Sequence, residues 1–385
     1  MRNRAYSFTI PALMDAARAF IQAGAPLLAS QLNASYLLLG TIGWVAQAVR
    51  LPFCLISGPL SEKIGRTRVI IPAALMMTTA GIGLAMSKNN MQLAVFYTLA
   101  ITSLGAFYPG LQALIGDLSR KDELSKNLGA FNLGWCLFAA LAAFSTRWIV
   151  NAGLPLVFAT AAVSSLIAGT LVWTWNRTSE HIHTKLSATE KSDANPMLLL
   201  ISRIALSAAA FGGLAAMMLF PKLGLELKWQ DQTIVTVTAM LTVGQAITMI
   251  TTNTLPRWHG RTTPAILSLA STGIAGILLA ASSDKIILGA AFVLLGNAMA
   301  LAYTSALYYA VADRKNASRN TSVHESLIAA SNILGCLIGG AAAQIFSDRA
   351  PYVVTASLSF AAAGAVILII FWFKRRASKM FADVH

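Results

Sequence analysis

The chain has 385 residues, of which 56% are hydrophobic and 11% charged, and its formal net charge is +14. Soluble domains carry about a quarter charged residues, so this composition excludes an ordinary soluble globule. The basic surplus recurs in alternate short joints between long apolar runs, a pattern that argues against nucleic acid and for a lipid bilayer.

A helix needs about 20 residues to cross a hydrocarbon core of ~30 Å. Runs of that length predict spanning helices at 6–31, 36–60, 69–87, 91–116, 128–150 and 153–175, then 197–221, 231–252, 264–282, 285–311, 322–347 and 350–373. The first run follows Arg2 and Arg4 and is broken by Pro11, Asp15 and Arg18. Charges inside the apolar stretch make it a poor signal peptide, so it reads as the first spanning helix. Cys54, Cys136 and Cys336 fall within apolar helices and behave there as small hydrophobes. Trp148, Trp173, Trp175, Trp229 and Trp372 fall near helix ends, where an amphipathic ring suits the membrane interface. Residues 176–196 form the one long polar joint, giving a bundle over 1–175, a linker, and a second bundle with its tail over 197–385.

With both termini on one side, the joints and tails on that side hold 20 of the 29 Lys and Arg residues, the opposite side 6 and helix interiors 3. Orientation follows this bias when loops are short. The expectation is a multi-pass protein of the cell inner membrane, embedded in the lipid bilayer, with both termini in the cytoplasm.

An internal repeat is written into the joints. Leu60, Gly65, Arg66 and Thr67 after the second helix match Leu255, Gly260, Arg261 and Thr262 after the eighth, at a fixed offset of 195 residues. The fourth helix ends at Asp117 and the tenth near Asp313, almost the same offset. The fold class expected is therefore an all-α integral membrane protein, twelve transmembrane helices in two pseudo-symmetric six-helix bundles.

The segment Gly58-Pro59-Leu60-Ser61-Glu62-Lys63-Ile64-Gly65-Arg66-Thr67-Arg68 resembles the signature loop of the major facilitator superfamily, G-x-L-[SA]-[DE]-[RK]-x-G-R-[RK]-[RK]. It departs at Thr67, where a basic residue is usual. The second copy has Asn253 for the first glycine and Arg257 for the acid. The segments Asn127-Leu128-Gly129-Ala130-Phe131-Asn132-Leu133-Gly134-Trp135 and His324-Glu325-Ser326 look like those of a bacterial branch with few assigned substrates. The resemblance implies a transporter with a gating loop made by Gly58, Glu62, Gly65 and Arg66, in which Glu62 lies near the start of the eleventh helix and helps hold the halves together. Gly58 is expected to let helix backbones approach closely, and Gly65 to supply a turn conformation closed to other residues.

Ionisable residues at membrane depth cost about 2.5–3.5 kcal/mol each on insertion scales and are site hypotheses by default. Asp15, Arg18, Arg50 and Arg203 are of this kind. Asp15 and Arg18 are three residues apart and share a helix face. Asp15 and Arg50 both lie roughly 14–15 Å from the cytoplasmic ends of their helices, which makes an ion pair geometrically open to them. One reading is a net positive cavity that favours an anionic substrate, with Arg50 or Arg203 gripping a carboxylate or phosphate. The other is a structural Asp15–Arg50 pair, with Arg18 and Arg203 snorkelling toward an interface. Tyr108 and Tyr303, at near-equivalent repeat positions, are candidates for an aromatic wall. Asp15, His324 and Glu325 are the candidates for proton coupling. No nucleophile–base set, phosphate loop or metal-ligand cluster stands out, so no enzyme, cofactor or metal is expected.

The function expected is alternating-access secondary transport of a small organic solute by a monomer, with protons as a coupling ion to be tested. A proton-driven drug or metabolite exporter on the same fold, and a non-transporting receptor or scaffold, stay open.

Overall fold

A computed structural model describes residues 2–118, 124–178, 195–312 and 317–382. The described residues form twelve α-helices: α1 Arg2–Gln31, α2 Tyr36–Ile64, α3 Arg66–Ala85, α4 Asn90–Asp117, α5 Leu124–Ile149, α6 Leu154–Thr178, α7 Pro196–Glu226, α8 Asp231–Thr254, α9 Thr263–Ala281, α10 Lys285–Ala312, α11 Ala317–Ile345 and α12 Ala350–Ala382. Asp313 and most of the central joint, residues 179–194, lie outside the described residues.

The boundaries depart from expectation most at α12, which continues nine residues past 373 to Ala382, and then at α7 and α11. A stop was expected at Pro221, but α7 runs through it to Glu226. Pro221 is fully packed inside the bundle, where neighbouring helices compensate for the donor that proline lacks. α11 starts five residues earlier than its hydropathy indicates, because its first turns carry polar residues, Arg319, Asn320 and Thr321, on an already formed helix.

Eleven of these helices are long and apolar enough to cross a membrane. α1 falls short of that measure although it is 30 residues long. It needs little apolar surface toward lipid, because it is packed between α5, α6, α4 and α7. Ser7, Asp15 and Ser30 are accordingly buried in protein. α12 is the opposite case: it has the highest mean hydropathy of the set, 2.4, and exposes Ile367, Leu368 and Phe371.

The repeat appears in the packing. α2 and α8 start at Tyr36 and Asp231, and α4 and α10 at Asn90 and Lys285, 195 residues apart in both cases. The main neighbour relations of the first half recur in the second: α1 on α5 as α7 on α11, α2 on α4 as α8 on α10, α3 on α6 as α9 on α12. Gly81 and Gly276 occupy the same repeat position. A Cβ at Gly81 would lie 2.9 Å from the Phe158 carbonyl oxygen, and one at Gly276 2.7 Å from that of Tyr352. Both glycines let the third helix of their half sit directly on the backbone of the sixth.

The halves meet through α2 on α11 and α5 on α8, again a symmetric pair. Contact is concentrated at the end that carries the α1–α2 and α7–α8 turns. There Tyr36 Oη donates to Glu226 at 2.7 Å, Gln31 Nε2 donates to Asp231 at 2.7 Å, and α2 crosses α11 at Gly40 and Gly340. At the opposite end the far turns of α2 expose Leu55, Ile56, Leu60 and Ile64. Among the described residues, the hydrogen bonds between the two halves that involve helix ends lie at the first end, and none joins the halves at the second.

The tryptophans divide between two roles. Trp148, Trp173 and Trp372 are about half exposed, as interface residues are. Trp175 is fully buried: it stacks on Tyr6 at 5.5 Å and its Nε1 donates to Asn3. It therefore ties α6 to α1 and is not an interface anchor.

Candidate functional site

The candidate residues separate into three places: a buried knot on α1, a turn at the second end, and the space between the halves.

Asp15 and Arg18 form the knot. The Arg18 Nε donates to Asp15 Oδ1 at 2.5 Å, and its Nη1 donates to Gln22 Oε1 at 2.5 Å. The Tyr108 hydroxyl of α4 donates to the other Asp15 oxygen. Asp15 is 3% exposed, so both of its oxygens are taken inside the protein. The spacing of three residues placed acid and base on one helix face, and the pair forms within α1. Asp15 pairs with Arg18 here, not with Arg50. The geometric reason is that a neighbour one turn away on the same helix is nearer than any residue across a helix gap. Tyr108 is thereby a hydrogen-bonding member of this knot, its ring edge-on to Phe107 and Phe131. It does not share an aromatic wall with Tyr303.

The turn between α2 and α3 is organised around Arg66. Its Nε donates to Asp117 Oδ2 at 2.9 Å and its Nη1 to Ser61 Oγ at 2.9 Å, with Glu62 at 3.8 Å. Gly65 has φ 102°, a region open to glycine and strained for other residues. The α2–α3 turn is thus held to the end of α4. Glu62 is 69% exposed and reaches Arg66 of its own half. Gly58 makes no close helix approach: a Cβ there would meet nothing within 4 Å.

The remaining candidates face the space between the halves. Arg50 sits at the middle of α2. Its Nε is buried without a hydrogen-bond partner, and its Nη1 reaches Gln47 Oε1 at a long 3.4 Å. Glu325 on α11 is exposed at the protein surface and within electrostatic reach of Arg50. No ion pair joins them among the described residues. Tyr303 on α10 lies in the same space, within reach of both charges. Its ring is edge-on to Trp135 of α5 at 6.3 Å and to His324 at 4.9 Å. Trp135 and Tyr303 belong to opposite halves, so this contact crosses the molecule. Beside it, Cys136 and Ala140 of α5 pack on Ala246 and Met249 of α8 and Ala300 of α10.

Arg203 and His324 are set back from this space. Arg203 donates to the Asn320 backbone oxygen at 3.3 Å and to its Oδ1 at 3.0 Å, joining α7 to the start of α11. His324 is fully buried and neither ring nitrogen has a hydrogen-bond partner.

Several members of these places were not legible as site residues. Asp117 was visible only as a repeat marker, and Trp135 only as part of a quoted motif. Gln22 and Gln47 carry no motif, and Asn320 carries only an N-x-[ST] sequon that says nothing of this role. Tyr36 and Glu226 lie in different halves, and nothing in the linear chain pairs them.

Three comparisons with known proteins bear on this arrangement. The family model described as Major Facilitator Superfamily matches residues 8–312. No curated protein sequence matches the chain. Among solved structures, a bacterial homologue of the human lysosomal transporter Spinster, in an inward-facing and occupied conformation, superposes with a TM-score of 0.74 at 13% identity, covering 95% of this chain and 96% of that one. The POT family transporter PepTSo gives 0.73 at 12% identity, covering 97% and 98%. The nucleoside transporter NupG gives 0.72 at 10% identity, covering 96% and 99%. At such identities these structures share a fold with this chain and carry no information on its solute. The repeat, the Arg66 turn and the family match agree: the chain belongs to the major facilitator superfamily.

Proposed function

We propose that this protein is a secondary transporter that moves a small organic solute across the inner membrane by alternating access, and that the conformation described is open to the cytoplasm. The observation that carries this reading is the one-sided contact between the halves. The Tyr36–Glu226 and Gln31–Asp231 bonds and the Gly40–Gly340 crossing close one end, while the Glu62 turn at the other end stands free. The excess of Lys and Arg at that end supports reading it as the cytoplasmic one. Two pseudo-symmetric halves with a mid-membrane charged space between them support rocking around a central site. In this proposal residues 1–175 and 197–385 are the moving bodies.

Arg50 and Arg203 each keep a buried Nε without a partner, and of the two Arg50 is the one whose charge reaches Tyr303 and Glu325. Arg18 is neutralised by Asp15, and Arg203 is engaged by Asn320. We assign Arg50 the anionic group of the solute. Asp15, bound on both oxygens inside the knot, is a weaker candidate for proton exchange than Glu325, which is open to water. Glu325 is the coupling residue we propose.

The test is uptake or counterflow of labelled solutes in vesicles holding the purified protein. The panel spans anionic, neutral and cationic compounds, with and without an imposed proton gradient. Saturable movement of a carboxylate or phosphate compound that Arg50→Gln abolishes supports the reading. Movement confined to cations, or unaffected by Arg50→Gln, contradicts the anionic assignment. Transport that persists in Glu325→Gln with its gradient dependence intact contradicts the coupling role.

A further inference from the structure

The turns after α2 and α8 occupy the same repeat position but differ in charge. At the offset of 195 residues Arg66 corresponds to Arg261, and Glu62 to Arg257. In the first turn Arg66 is captured by the protein: it donates to Asp117 at 2.9 Å and to Ser61 at 2.9 Å, and its side chain is 17% exposed. In the second turn Arg257 and Arg261 are both exposed, and residues 254–263 contain no acid. Among the described residues neither guanidinium has a carboxylate within ion-pair distance.

The turn that presents these cations is held in place. Pro256–Trp258 form a short 3-10 helix. The Trp258 Nε1 donates to the Thr252 backbone oxygen at 3.0 Å, and the Gly260 N–H donates to the Tyr309 hydroxyl of α10 at 3.0 Å. Gly260 has φ 72°, a left-handed conformation that glycine adopts without strain. The His259 ring stacks on Tyr308 at 4.1 Å, and Trp258 stands edge-on to both. In sequence the two arginines flank this aromatic cluster.

The turn also lies at a membrane surface. α8 and α9 are both long and apolar enough to cross a bilayer. α8 starts where Gln31 meets Asp231, so its last turns lie at the opposite end of the molecule. Those turns expose Ile247, Ile250 and Leu255, and the first turns of α9 expose Ile266 and Leu267. Apolar surface therefore leads to a cluster of aromatic rings, which suit the headgroup level, and then to two cations. A soluble anion answers the cations alone. An amphiphile with an anionic head answers all three levels, and a guanidinium matches a phosphate in geometry as well as charge.

We propose that the α8–α9 turn binds an anionic phospholipid of the inner leaflet, its phosphate held by Arg257 and Arg261, its glycerol backbone beside Trp258 and Tyr308, and its chains along the apolar faces of α8 and α9. The α2–α3 turn offers no such site, because Asp117 already engages Arg66. The lipid thus attaches to the second half only. The proposal needs a membrane-spanning chain with this end in the cytoplasm, and it is independent of the solute assignment above.

The experiment uses the full-length purified protein in neutral detergent with three probes: dioleoylphosphatidylglycerol, phosphatidylcholine with the same chains, and inorganic phosphate. Retained lipid is counted by native mass spectrometry, and binding is followed by thermal stabilisation. Phosphatidylglycerol is expected to bind about tenfold or more tighter than phosphatidylcholine, the effect of two cations near an anionic headgroup, and to lose that advantage as salt rises. The double variant Arg257→Gln, Arg261→Gln should erase the preference. The double variant Lys63→Gln, Arg68→Gln removes two exposed cations from the first turn and should leave the preference in place. Both double variants should melt as the wild type does without added lipid, since none of the four side chains makes an ion pair among the described residues. Phosphatidylglycerol brominated high in its chains should quench tryptophan emission, with a component missing in Trp258→Phe.

Equal binding of the two lipids overturns the proposal. Equal loss in both double variants overturns it too, because the preference is then a property of the whole basic surface. Stabilisation by inorganic phosphate as strong as that by phosphatidylglycerol assigns the cations to a soluble anion instead. Quenching unchanged by Trp258→Phe places the lipid elsewhere and is equally contrary.

Discussion

The backbones of α2 and α11 cross at Gly40 and Gly340, where a Cβ added to Gly40 would lie 2.9 Å from the Gly340 Cα. No side chain fits between them, so the crossing exists only while both residues are glycine. It holds the closed end together with the Tyr36–Glu226 bond and with Lys222, whose amine lies 3.8 Å from Glu226 and 5.3 Å from the Tyr36 ring centroid.

Gly340→Val should therefore disfavour the present conformation without disturbing either bundle. Cys336 supplies a native reporter, being fully buried one turn away on α11. Its alkylation by an impermeant maleimide added on the closed side should rise about tenfold or more. An unchanged rate would mean that this crossing does not hold the end shut. Tyr36→Phe should act in the same direction but more weakly, by about 1 kcal/mol, because Glu226 is partly solvated.

At the open end, Arg66 is the organising residue and Asp117 its main partner. The Arg66–Asp117 bond is 2.9 Å, while Glu62 stands at 3.8 Å and is 69% exposed. Asp117→Ala should therefore reduce the fraction of folded protein recovered in detergent, or its melting temperature, more than Glu62→Ala does. Glu62→Ala should instead lower the transport rate with little loss of stability, since the family resemblance gives Glu62 its partner only when this end closes. The reverse ranking would show that Glu62 already holds the present state.

The α1 knot makes a stability prediction. Removing one partner of a buried ion pair strands the other charge, at about 3–5 kcal/mol. Arg18→Leu should lower the melting temperature strongly. The double variant Asp15→Leu, Arg18→Leu should recover much of the loss, because no lone charge remains. A double variant as unstable as the single one would show that the knot has a role beyond mutual neutralisation.

These relationships separate what the sequence discloses from what it hides. Helix number, the repeat and the superfamily are legible because hydrophobic length, loop charge and a glycine-bearing turn are local properties. The shared face of Asp15 and Arg18 is legible for the same reason, yet the pair expected was Asp15–Arg50, and the nearer neighbour on α1 takes the acid instead. The partners of the buried charges were not legible: Tyr108 joins the Asp15–Arg18 knot from another helix and Gln22 from the next turn. Trp135 and Tyr303 meet across the halves, a contact between segments 168 residues apart that no local pattern encodes. The role of Gly58 is conformation-dependent and so is invisible in one state: it stands free here.

The central claim is that the two ends open and close reciprocally. In a background with the three native cysteines replaced, spin labels at Lys88 and Ser347 report the closed end, and labels at Lys63 and Arg257 report the open end; all four positions are exposed. Pulsed-EPR distances are measured for both pairs with and without Gly340→Val. The account predicts that the substitution lengthens the Lys88–Ser347 distance and shortens the Lys63–Arg257 distance together. A change at one end alone, or at neither, would contradict alternating access by rocking of the two halves.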